Sequence, residues 1–108
     1  MVIDPLPPPV KVGAGRVFTF RHSDDLEGAV GLCEFHTHTC HIAPGQLPVE
    51  EVDTVIHELF HAILYAQGRE YAGKTEETYV RALATGFAGV LKDNPKFLNW
   101  LSHRLKNQ

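Results

Sequence analysis

One unbroken amphipathic run, Val52-Asp53-Thr54-Val55-Ile56-His57-Glu58-Leu59-Phe60-His61-Ala62-Ile63-Leu64, constrains this chain more than any other stretch. Val49, Val52, Val55, Ile56, Leu59, Phe60, Ile63 and Leu64 recur at three- and four-residue steps, which predicts a helix with a wide buried face. Residues four apart stand one turn above each other, so His57 and His61 project side by side at the border of that face, with Glu58 next to them. The turn-rich stretch from Ala43 to Pro48 precedes the run, and Glu50, Glu51 and Asp53 complement a helix N-terminus. Gly68 is a natural stop, so the helix is expected from about Pro48 to Gln67.

An imidazole pair at this spacing can hold a tetrahedral zinc ion, which brings the pKa of its bound water down toward about 7. A carboxylate at Glu58 can take the proton from that water and later hand it to a leaving amine. The motif therefore predicts a zinc-dependent peptidase with one catalytic Zn2+, His57 and His61 as ligands and Glu58 as general base. Two histidines leave the ion in need of a third protein ligand. Glu76 and Glu77, at the start of the next predicted helix, are the candidates, provided that helix approaches on a diagonal. Their plainer reading is a solvated acidic helix start.

At 108 residues the chain reads as one domain with room for a single core. A formal charge of −3 gives no electrostatic case for nucleic acid or an anionic membrane as partner. No run approaches the roughly 20 apolar residues of a membrane span. Met1 to Pro9, with Asp4 and three consecutive prolines, does not read as a signal peptide, and cytoplasmic residence is the default expectation. Cys33 and Cys40 are the only cysteines. If both lie on one extended strand, their odd separation points them to opposite faces, so a disulfide is not expected and a reducing compartment fits.

Along the chain, residues 1–15 read as a flexible arm, polyproline-like at Pro7 to Pro9 and loosened by Gly13 and Gly15, and residues 16–108 as the folded domain. Val17 to Arg21 alternates as a strand. Leu32 to Ile42 reads as a second extended run with neither face cleanly apolar, which suits an edge strand or a strand beside a cleft. His36 and His38 share one of its faces and could bind a metal, although solvated side chains are the simpler reading. After the first helix and a short polar link, a second helix is expected from about Thr75 to Leu91. Asn94, as cap, and Pro95, in the first turn, then begin a third.

The pattern His57-Glu58-Leu59-Phe60-His61, followed by a glutamate on the next helix, resembles the gluzincin metallopeptidases, in which two motif histidines and a downstream glutamate hold catalytic zinc. In compact members, including ImmA/IrrE-like proteins, that glutamate is followed three, six and seven positions on by small or apolar residues. From Glu77 these are Val80, Leu83 and Ala84; from Glu76 they are Tyr79, Ala82 and Leu83, a poorer match. The resemblance thus implies Glu77 as third ligand, with Glu76 second. From about Gly31 to Leu101 the chain is also similar to small metallopeptidase-like proteins encoded by bacteriophages, through the run from Glu50 to His61 and then Arg81-Ala82-Leu83-Ala84-Thr85-Gly86. On that likeness, the host cytoplasm would be its compartment. The metzincin pattern is not met, since Leu64 and Gln67 stand where glycine and histidine are required. The SprT-like pattern fails too, because the only later histidine is His103.

The fold implied is a zincin-like minimal core of the α+β class: a small antiparallel β-hairpin or sheet packed on three helices. In gluzincins an edge strand beside the site pairs with extended substrate, and Leu32 to Ile42 resembles it, so a peptide or protein substrate would bind by β-augmentation. Tyr65, Tyr71, Tyr79, Arg81 and His103 are candidate donors to a developing oxyanion, with a structural role the plainer reading of each. The competing expectation is a catalytically silent, zinc-stabilised binding or regulatory protein. A metal-free helical interaction module is the third. The sequence leaves self-association open.

Overall fold

The computed structural model describes residues 5–67 and 76–106, apart from the side chains at 76–78, 80, 81 and 84. Its elements are β1 (Val10–Gly13), β2 (Arg16–His22), β3 (Gly31–Glu34), β4 (Thr39–Ile42), α1 (Pro48–Ala66), α2 (Glu76–Asp93) and α3 (Pro95–Lys106). The fold is α+β, with a sheet of strand order β1-β2-β4-β3. It is mixed rather than wholly antiparallel: β1/β2 and β3/β4 are antiparallel, while β2 and β4 run parallel.

Strand alternation decides which side of the sheet is covered. Val10 and Val12, Phe18 and Phe20, Cys40 and Ile42 all point inward and are buried, whereas Lys11, Val17, Thr19 and Arg21 are exposed. Helix α1 lays Val52, Val55, Leu59, Ala62, Ile63 and Ala66 on that inner face, and Val90, Phe97 and Trp100 complete the core from α2 and α3. The helical pattern read from Pro48 onward is therefore the central packing element.

Two expectations about local structure are corrected. Within the segment read as an arm to residue 15, Val10–Gly13 forms β1, because Val10 and Val12 supply an apolar face to the core. Ala14 and Gly15, with φ of 54° and 73°, make the left-handed two-residue turn that suits a tight hairpin. The outer edge of β1 is fastened by Asn94, whose Oδ1 accepts from Lys11 N at 3.0 Å while Nδ2 donates to Lys11 O at 3.0 Å. Asn94 thus spends its side chain on β1 and on Val90 O, not on capping α3.

The run Leu32 to Ile42 is likewise a hairpin, not one strand. It reverses at Phe35 to His38, where His38 N donates to Phe35 O at 3.2 Å, His38 takes φ of 52° and Thr37 Oγ1 donates to Glu34 Oε1 at 2.7 Å. No glycine or proline marks this turn. His38 is held by stacking on Phe18, ring centroids 4.8 Å apart, so it packs at the core edge while His36 is exposed. The reversal puts Cys33 directly opposite Cys40, on the same face, which removes the premise that separated them.

Candidate metal centre

The helix that carries the histidines is fixed at both ends. At its start Pro48 fills the first position, and Leu47 N donates to Glu50 Oε1 at 3.2 Å. One turn in, Glu51 is 2% exposed, and its carboxylate takes Arg104 Nε at 2.9 Å and His22 Nε2 at 3.2 Å. At the C-terminal end α1 has no basic residue of its own, and Arg16 supplies the cation from β2. Arg16 reaches Tyr65 O at 3.3 Å and lies 4.8 Å over the Tyr65 ring.

Between these anchors His57 and His61 are exposed and adjacent, ring centroids 5.0 Å apart at an interplanar angle of 71°. Glu58, next to them on the helix, is 5% exposed. Burial lifts its carboxyl above its ordinary value, against the opposing pull of His57 and His61. What covers it is the backbone of β3: a Cβ on Gly31 would lie 2.7 Å from Glu58 Oε2 and 2.8 Å from Thr54 Cγ2. A side chain there would collide with the carboxylate, so glycine lets the strand lie against the helix.

Two open clefts meet at His57 and Glu58. One, of about 310 Å³, is bounded by Gly31, Leu32, Cys33, Phe35, His57, Glu58 and His61. The other, of about 350 Å³, lies between Val30 and Asp53. Phe35, on the wall of the first, stacks on Tyr65 with ring centroids 4.8 Å apart. Among the described residues, strand β3 pairs with β4 alone, and no strand lies on its other side. Ala43 N donates to Val30 O, which fixes the phase of the ladder. Residues 30, 32 and 34 turn their main-chain groups toward β4, and Gly31 and Cys33 turn theirs outward.

The remaining donors are placed as follows. Phe60 against Phe87, Gln67 Nε2 on Ala82 O at 2.9 Å and Gly86 against Ile63 set α1 and α2 antiparallel. The first turn of α2, which begins at Glu76, then lies beyond the end of α1, about 15 Å along the pair from His61 at the ordinary helical rise. The side chains of Glu76 and Glu77 lie outside the described residues. Among the described residues no group of three His, Cys, Asp or Glu could hold an ion. His57 and His61 are thus two adjacent candidate donors, and a shared third ligand on α2 would require its first turn to come back toward the middle of α1. Of the oxyanion candidates, Tyr65 is committed to Phe35 and Arg16, while Tyr71 and the Arg81 side chain lie outside the described residues.

Reading the sequence missed Gly31, whose signal is a glycine opening a strand beside a polar helix position, and missed Glu51, an acid at a helix start that is buried instead of solvated. The chain matches no protein-family model, no curated protein and no solved structure.

Proposed function

We propose that the chain is a zinc-dependent peptidase that takes an extended peptide segment along the free edge of β3. The observation that carries this reading is the placement of Glu58: a shielded carboxylate, held beneath Gly31, beside two adjacent exposed imidazoles and open to a cleft. His57 and His61 would hold the ion, which when bound supplies an activated water and polarises the scissile carbonyl. Glu58 is poised as the proton carrier because its burial favours the protonated form, so a proton accepted there can be passed on instead of lost to bulk water. The outward main-chain groups of Gly31 and Cys33 give a peptide strand its hydrogen bonds next to that carboxylate.

The test is cleavage of an unfolded protein substrate by the zinc-loaded chain. Activity is expected to vanish with a chelator and return with zinc. Glu58→Gln is expected to retain zinc and lose cleavage by at least about 100-fold. His57→Ala and His61→Ala are expected to lose both. A wild-type chain that binds zinc at unit stoichiometry and cleaves nothing would favour the silent binding protein, a reading supported by the shallowness of the cleft. The absence of zinc binding sinks both.

A further inference from the structure

We propose that Cys33 and Cys40 are a reversible disulfide site, a cross-strand redox modification of the β3–β4 hairpin at the wall of the cleft. The two residues are register partners, with their Sγ atoms 3.9 Å apart. Because Val30 and Ala43 form a hydrogen-bonded pair, the ladder phase makes Cys33/Cys40 a non-hydrogen-bonded pair, the closer of the two kinds, with Cα atoms about 4.5 Å apart. That spacing lies within the range a disulfide spans, so the bond needs side-chain rotation and no change of register. Nothing in this depends on whether the cleft holds a metal.

The two thiols are not equivalent, and their difference sets the order of events. Cys33 is partly exposed and borders the cleft. Cys40 has no exposed surface, and its Sγ is also 3.9 Å from the Glu58 carbonyl oxygen. A small disulfide such as glutathione disulfide can therefore reach Cys33 and not Cys40. The Cys33 thiolate attacks one sulfur of that oxidant, whose S–S bond breaks and releases one glutathione thiolate. Cys40 then attacks Cys33 Sγ, the mixed S–S bond breaks, and the departing glutathione sulfur takes up the Cys40 proton, leaving as the second glutathione. In sum, two protein thiols lose two hydrogens and two electrons, and glutathione disulfide is reduced to two glutathione molecules. The product clamps the open edge strand to its neighbour directly beneath the main-chain groups that face outward.

The experiment uses the reduced full chain in glutathione/glutathione disulfide buffers, with intact mass and thiol titration as readouts. The expected product is a monomer lighter by about 2 Da with neither thiol free, restored by dithiothreitol, and melting several degrees higher than the reduced form. Cys40→Ala is expected to stop at one adduct of about 305 Da, and Cys33→Ser to take up no glutathione while folded. A wild-type chain that accumulates the adduct or links into dimers overturns the proposal. So do two thiols still free under conditions that close the bond in the same chain in denaturant. Because the wild-type readouts need no substitution, a variant that fails to fold leaves the test intact.

Discussion

At the scale of single residues, two positions carry more than their chemistry alone suggests. Gly31 is the point where a strand lies against the Glu58 carboxylate, and Gly31→Ala is expected to push Glu58 and Thr54 aside. A cost of about 1–3 kcal/mol in urea unfolding, with a fall of at least about tenfold in any cleavage, is the outcome to measure. Glu51 and Arg104 are a buried ion pair at 2.9 Å, both under a tenth exposed. Glu51→Ala removes the buried carboxylate that Arg104 Nε and His22 Nε2 share and is expected to cost about 3–5 kcal/mol in urea unfolding, whereas replacing both Glu51 and Arg104 with apolar residues is expected to cost less. Neither role is visible in the sequence, where Glu51 is one of three acids at a helix start and Gly31 is one glycine of nine.

At the scale of elements, α1 was legible almost to the residue because its period and its proline start agree, and the imidazole pair followed from that period alone. The β3–β4 hairpin was not legible. Its turn is made by His38 in the left-handed region and by Thr37 bonding back to Glu34, residues that signal no turn by type, and the stacking of His38 on Phe18 depends on a tertiary partner. The first strand was hidden by the prolines before it. Glu34 now gives the hairpin a pH signature. The Thr37 hydroxyl first, and then His41 Nε2 at 3.1 Å, hold its carboxyl below the ordinary value of 4.5. A depressed acid stabilises the fold above its unfolded value, and that contribution is lost as pH falls through the folded one. The difference in melting temperature between the wild type and Glu34→Gln is therefore expected to be present at neutral pH and to shrink to nothing below 4.5. Asn94 ties the junction of α2 and α3 to β1, and Asn94→Ala is expected to cost about 2–3 kcal/mol in urea unfolding by stranding the Lys11 N–H and C=O.

At the scale of the whole molecule, the proposed ion would link α1 to α2, two elements whose contacts among the described residues include Phe60, Ile63 and Gln67. Zinc that binds only the folded chain is expected to add about 2.7 kcal/mol of stability at a hundredfold excess over its Kd, read as a zinc-dependent rise in melting temperature. His61→Ala is expected to abolish that rise. Among the described residues the sheet has two unlike margins: Lys11 of β1 is laced to Asn94, and no strand pairs with the outer side of β3. A body with one sealed border and one sticky border can accept a single extra strand but cannot relay it onward. Crowded solutions of this protein should therefore stop at pairs, and fibres would have to begin from chains that have already let go of residue 94.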